Sequence, residues 1–224
     1  GTGKRPDQAI RNSEMAKSAN LPLAGIRTTE EIAASIHVRG GRVNHSIKVA
    51  GALQLPAIDL LIDPYVLGAW LGDGTSNNGA ITGLDEEIFT QVANSYQVRF
   101  HSDPKTRGIL GLKVHLRTIG VLGNKHIPAA YQRASFDQRL ALLQGLMDTD
   151  GYCDTRGQCE ISLTRKQLID DVHELVLSLG IKATINEGQA KLNGRMIGPK
   201  WRIKFLTEHP AFRLARKLIR QKRS

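Results

Sequence analysis

Two cysteines, Cys153 and Cys159, are all that 224 residues contain, too few for a disulfide framework. A reduced, cytoplasmic chain is the expectation, in a bacterial or phage-infected cell. Structural zinc takes about four nitrogen or sulfur ligands. The seven histidines, at 37, 45, 101, 115, 126, 173 and 209, show neither HxxxH nor HxxE spacing. No apolar run approaches the roughly 18 residues of a membrane span, and the polar opening Gly1-Thr2-Gly3-Lys4-Arg5-Pro6 is no secretory leader. That opening also lacks the GxxxxGK[ST] spacing of a phosphate loop, and Asn44-His45 lacks the second histidine of an HNH nuclease. Acidic residues are in deficit: 21 Asp and Glu stand against 31 Lys and Arg, a net charge of +10. Such an excess favours a polyanionic partner, nucleic acid ahead of a membrane surface. Hydrophobic residues make up 41% of the chain, enough for one large domain or a domain with an appendage.

What is present is a repeat. Residues 66–74 read Val-Leu-Gly-Ala-Trp-Leu-Gly-Asp-Gly, and residues 143–151 read Leu-Gln-Gly-Leu-Met-Asp-Thr-Asp-Gly. Gly68 matches Gly145 and Asp73 matches Asp150, both 77 residues apart. Each copy ends a helix with a readable start. Asp63-Pro64 is an N-cap followed by proline at N1, and Ser135 with Gln138 is a capping box. A glycine inside each helix costs about 1 kcal/mol relative to alanine. Matched small residues offset that cost where two helices must approach closely, so Gly68 and Gly145 are read as the helix interface.

The similarity continues downstream. The first copy is followed by an expected strand at 79–83, a helix at 85–95, and strands at 96–101 and 109–116. The second is followed by a strand at 158–163, a helix at 166–179, and strands at 181–187 and 200–206. Ile88 and Val92 match Leu168 and Val172, now 80 apart, so the second turn carries about three extra residues. Such a repeat is α+β, not a Rossmann alternation. Ahead of it, Thr28-Thr29-Glu30-Glu31 is a capping box for a short helix to about His37. Arg39-Gly40-Gly41-Arg42 is a turn, Ser46–Val49 a candidate strand, and Leu53–Leu61 a linker. The organisation expected is a basic accessory or connector segment at 1–55 and a two-repeat domain at 56–224, with repeats at about 63–134 and 135–224.

A carboxylate at a helix C-terminus faces the negative end of the helix dipole. Two of them side by side crowd negative charge that a divalent cation would relieve. A hard oxygen site of that kind suits metal-assisted phosphodiester hydrolysis. A single Asp-Gly would be no more than a helix stop; two in register in a basic chain point to chemistry.

The second copy resembles the LAGLIDADG motif, and the first its more divergent partner. Asp63-Pro64-Tyr65-Val66-Leu67-Gly68, Gly123-Asn124-Lys125-His126-Ile127-Pro128 and Ser178-Leu179-Gly180-Ile181-Lys182-Ala183 extend the resemblance over about 55–210, to the endonuclease region of an intein. The resemblance implies a duplicated LAGLIDADG homing-endonuclease fold. This is a pseudo-two-fold monomer whose two saddle-shaped antiparallel sheets straddle double-stranded DNA and cut both strands of a long asymmetric site. It implies Asp73 and Asp150 as metal-binding catalytic acids using Mg²⁺, with Mn²⁺ as a substitute and Ca²⁺ supporting binding but poor cleavage. Lys125, in the Lys-His-Ile-Pro block, is the candidate active-site lysine of the first half. The second half should supply its own late on a strand, with Lys200 the choice and Lys204 the alternative. Asp148 has Leu71 as its first-copy counterpart and is read as structural. No splicing nucleophile stands at residue 1 and no His-Asn pair ends the sequence, so the chain as given is not expected to splice. Residues 1–55 are expected to touch DNA through Lys4, Arg5, Arg11, Lys17, Arg27, Arg39, Arg42 and Lys48. The competing function is a nuclease-inactive, maturase-like DNA or RNA binder on the same fold.

Overall fold

The computed structural model describes residues 25–38, 40–100 and 103–221. The chain divides into two compact units, one ending at Lys48 and one beginning at Val49. In the first, helix α1 (Thr29–Ala34) opens on its capping box, with Thr28 Oγ1 accepting from the Glu31 N–H at 3.2 Å and Glu31 accepting from the Thr28 N–H at 2.8 Å. It stops before His37 because Ser35 takes non-helical backbone angles and Asn44 donates to the Ser35 carbonyl at 2.9 Å. A turn through Gly40 and Gly41, at φ +94° and +75°, then closes His37 against Val43. Ser46–Val49 forms no strand. Lys4, Arg5, Arg11, Lys17 and Arg39 lie outside the described residues.

The second unit begins with α2 (Pro64–Asp73), β1 (Ala80–Thr82), α3 (Glu86–Ala93), β2 (Val98–Phe100), β3 (Thr106–Ile109), α4 (Leu112–Thr118) and α5 (Ala129–Gln132). It continues with α6 (Phe136–Thr149), β4 (Gly151–Cys153), β5 (Cys159–Leu163), α7 (Lys166–Ser178), β6 (Ala183–Leu192), β7 (Arg195–Phe205) and α8 (Ala215–Leu218). The architecture is α+β and duplicated. One antiparallel sheet has the order β1-β3-β2 and the other β4-β5-β7-β6. The repeat is visible in the pairing itself: Gly74 bridges Ile81 after the first motif, and Gly151 pairs with Ile161 after the second. Cys153 and Cys159 face each other across β4 and β5 as buried free thiols. Among the described residues no helix is long and apolar enough to cross a membrane.

The motif helices start as their caps dictate. Asp63 Oδ1 accepts from the Val66 N–H at 3.1 Å with Pro64 at N1, and Ser135 and Gln138 exchange the two bonds of a capping box. Residues Tyr65–Leu71 of α2 are all buried, as in a helix enclosed on every side. Each sheet lays its inner face near one amphipathic helix, Ile88, Phe89 and Val92 of α3 or Leu168, Ile169 and Val172 of α7, all in one core.

Two element boundaries correct the sequence reading. The strand expected at 109–116 ends at Ile109, and α4 replaces the rest. Gly111 turns the chain at φ +81°, and Leu112 and Leu116, one helical turn apart, are fully buried. Val114, which completed the apparent alternation, is 59% exposed. The last two strands are also longer than expected, because Asn193 and Gly194, at φ +50° and +80°, close a two-residue hairpin turn well beyond residue 187. The linker, finally, is irregular but docked. Arg139, fully buried, donates to the carbonyls of Ala134 (2.9 Å), Ser178 (2.6 Å) and Leu53 (2.5 Å), and the Gln138 amide bonds both backbone groups of Ile58. Those bonds hold Leu53 and Ile58 in the second unit, which begins at Val49.

Candidate active site

Helices α2 and α6 cross at their glycines. A Cβ built on Gly68 would lie 3.0 Å from the Leu146 nitrogen and 3.1 Å from Gly145 Cα, and would strike the Leu142 carbonyl oxygen. One built on Gly145 would lie 2.6 Å from the Ala69 nitrogen and 3.0 Å from the Gly68 carbonyl carbon. The obstacles are backbone atoms, which cannot swing aside, so only glycine permits this approach from either side.

The crossing brings the helix ends together. Asp73 is the last residue of α2, and Asp150 caps α6. Gly72 lies against the other motif: a Cβ there would collide with the Thr149 side chain and sit 3.4 Å from Asp150 Oδ2. Asp150 is open to solvent at the mouth of the site yet ringed by packed atoms. That crowding, and then the Asp73 carboxylate, push its carboxyl up to about 6, against the pull of Lys125 and Lys217. Burial likewise raises Asp73, with Lys125 and then Lys217 opposing.

Lys125 is almost wholly buried. Its Nζ donates to the carbonyls of Leu71 (3.0 Å) and Gly72 (2.9 Å), capping the C-terminus of α2, and stands 5.1 Å from the centre of the Trp70 ring. Burial lowers its pKa to about 8, with Asp150 and Asp73 holding it up. The loop from Gly123 to Pro128 delivers it, pinned where the Ile127 N–H donates to Asp171 at 2.8 Å.

The sequence reading missed the counterpart. Lys217 Nζ donates to the carbonyls of Met147 (3.0 Å), Asp148 (2.7 Å), Thr149 (3.3 Å) and Gly151 (2.7 Å), capping the end of α6 as Lys125 caps α2. Burial lowers its pKa, then Arg216, while Asp148, Asp85 and Asp73 oppose. The strand lysines are elsewhere. Lys200 stands opposite Gly188 in the β6–β7 hairpin, and Lys204 lies 3.4 Å from Glu160. Neither is among the charges that move Asp73 or Asp150, whereas Lys217 acts on both. The repeat offset could not find it, because Lys217 lies 92 residues after Lys125, not 77 or 80. It arrives on a strap, residues 207–221, laid back across the domain. Asp148, 1% exposed, accepts from the N–H groups of Arg213 and Leu214 at about 3.1 Å and from the Tyr65 hydroxyl at 2.8 Å. Gln144 donates to the Pro210 carbonyl at 2.8 Å, and Arg216 pairs with Asp85 at 2.6 Å.

Two crowded carboxylates make a hard, oxygen-only donor set with excess negative charge, which fits a divalent ion such as Mg²⁺. Among the described residues there is no group of three or more His, Cys, Asp and Glu that could form a closed metal cage. A pH dependence follows. The folded pKa of Asp150 lies above its unfolded value of about 4, so ionising it costs stability as pH rises from 4 through 6, and the cost is complete above 6. A cation relieves that cost only where the carboxyl is ionised. Mg²⁺ bound there should therefore raise the melting temperature more at pH 7.5 than at pH 5, with apparent affinity falling about tenfold per pH unit below 6. Equal stabilisation at both pH values would remove Asp150 from the ion's ligands.

The chain is 41% identical over 202 residues, 89% of its length, to the replicative DNA helicase DnaB of Mycobacterium intracellulare. It spans about a third of that protein, 34%. Among solved structures, I-DmoI in complex with DNA and Ca covers 71% of this chain and 95% of its own, at 14% identity and TM-score 0.44. Mesophilic variants of the homing endonuclease I-DmoI cover 65% and 88%, at 15% identity and TM-score 0.41. Both are too distant to bear on function. Residues 137–221, the second repeat with the strap that carries Lys217, match the model of the LAGLIDADG-like domain family.

Proposed function

We propose that the chain is a site-specific double-stranded DNA homing endonuclease of the LAGLIDADG class, acting as a monomer, with one active site per repeat at the shared centre. The observation that carries this reading is the paired arrangement: two carboxylates at the ends of two crossing helices, each helix end capped by its own lysine, Lys125 buried and Lys217 half-buried. Asp73 and Asp150 would hold a divalent cation. When bound, a divalent cation supplies Lewis-acid stabilisation of the charge that builds on the phosphoryl oxygens. Lys125 and Lys217 place positive charge beside the same centre. The excess of basic residues supplies the attraction for the polyanion.

The identity to about a third of a replicative helicase polypeptide supports reading the chain as the endonuclease region of an intein inserted in such a protein. The target is then the uninterrupted gene junction. A supercoiled plasmid carrying that junction should be linearised by the protein with Mg²⁺ or Mn²⁺, bound but poorly cut with Ca²⁺, and untouched without the junction. Tight binding with no cleavage in any metal would favour the maturase-like binder instead.

The lysines make a sharper test. Lys217→Met and Lys125→Met should each slow one strand's cleavage by roughly 10²–10³-fold, so nicked circles accumulate. Lys200→Met should cut both strands within several-fold of the parent. If Lys200→Met nicks and Lys217→Met linearises normally, the strap does not complete the second site.

A further inference from the structure

The two sheets are unequal, and their register shows by how much. In the second sheet Ile161, Ile203 and Ile185 are paired neighbours that belong to or pack on the core, so the alternate ranks face outward. Ser162, Arg202 and Asn186 form one such rank, with Gly188 and Lys200 beyond it. In the first sheet Ile81 pairs with Arg107, which turns inward to Glu86 at 2.9 Å. On its other face Ala80 is buried, Gly108 is half-buried, and Thr82 and Thr106 are small, and among the described residues the strands add one exposed charge there, Arg99.

Length separates them further. Strands β6 and β7 are 10 and 11 residues long; β1, β2 and β3 are 3, 3 and 4. At about 3.3 Å per residue the long hairpin reaches about 35 Å, and the first sheet about 10–13 Å. Along B-DNA, at about 3.4 Å per base pair, that is roughly ten base pairs against three or four. Charge runs the same way. Residues 188–204 hold Lys191, Arg195, Lys200, Arg202 and Lys204 and no acid. Arg202 is also pre-set for base reading. Its Nε is held by Glu160 at 2.8 Å and Ser162 at 3.2 Å, while its two Nη groups have no partner among the described residues. A guanidinium fixed in this way suits the paired acceptors of guanine, and Asn186, its partner in register, suits adenine.

We propose that the β6–β7 hairpin is the principal sequence reader, with Asn186 and Arg202 at its centre, so that the half-site under the second repeat is constrained over about ten base pairs and the other half over three or four. This rests on the endonuclease reading. The test is selection of a random duplex library by the full chain in Ca²⁺, followed by alignment of the retained sequences. The expected consensus is long on one side of its centre and short on the other. Arg202→Ala should relax a position in the long half by roughly tenfold or more. Arg202→Lys should relax the same position while keeping overall affinity, which a folding defect would not do. Arg99→Ala should relax only the short half. Halves of equal length, a long half that responds to Arg99→Ala, or retention without any consensus would overturn the asymmetry. A chain that retains no DNA at all sinks the endonuclease reading itself.

Discussion

Asp73→Asn and Asp150→Asn each abolish double-strand cleavage, by about three orders of magnitude or more, and leave DNA affinity within a few-fold. Asparagine keeps the shape of the side chain and removes the charge that holds the cation. The stabilisation a metal gives a phosphoryl transition state is several kcal/mol, and each 1.36 kcal/mol is tenfold in rate. Binding should survive because 31 Lys and Arg remain and each substitution removes a negative charge. The variants should also be slightly more stable than the parent without metal at pH 7.5, since each removes one of two carboxylates that burial already disfavours. Cleavage rate, binding constant and melting temperature are read together. Parent-like cleavage in either variant would exclude that residue from catalysis.

Gly68→Leu and Gly145→Leu lose stability and cleavage together. Overpacking costs about 1–3 kcal/mol where side chains can move aside. Here the first atoms met are the main chain of the opposite helix, so the cost lies at or above the top of that range. Alanine is the more telling substitution. Helix propensity alone favours alanine over glycine by about 1 kcal/mol. Yet a Cβ on Gly68 already meets backbone at 3.0 Å or closer, so Gly68→Ala should be net destabilising, by about 1–3 kcal/mol, though milder than leucine. A melting temperature unchanged or raised in Gly68→Ala, with parent-like cleavage in both leucine variants, would mean that the helices do not meet at these residues.

Much of the framework was legible because it is local. The three capping signals at Thr28, Asp63 and Ser135 each open a helix where the residue types require it. The motif repeat announced the duplication, and the apolar spacing of Ile88 and Val92, echoed by Leu168 and Val172, marked the helices that cover the sheets. The failures have local causes too. Leu112, Val114 and Leu116 fit periods of two and four equally well over so short a span, and only burial decides between them. The Asn193-Gly194 turn was in the sequence and went unread, which cut the last hairpin short.

By itself, then, the sequence determined the two motif helices, their matched glycines and acids, the α+β class and the chain's excess of positive charge, because caps, periodicity and net charge are properties of neighbouring residues or of the whole composition. Lys125 stood out in the sequence through its Lys-His-Ile-Pro block, but only the tertiary structure decided which basic group stands at the end of the second motif helix. Lys217 arrives on a returning strap, at a different distance from its motif, and no repeat spacing marks it. The tertiary structure also set the altered pKa values of Asp150 and Lys125, since those arise from burial and from charges more than 20 residues away along the chain. Asp148, already read as structural because its first-copy counterpart is Leu71, received its particular task of anchoring the strap only from the fold, because the N–H groups it accepts from lie at residues 213 and 214. A helix end can be read from four residues; a charge cluster assembled from four separate segments exists only once they are packed.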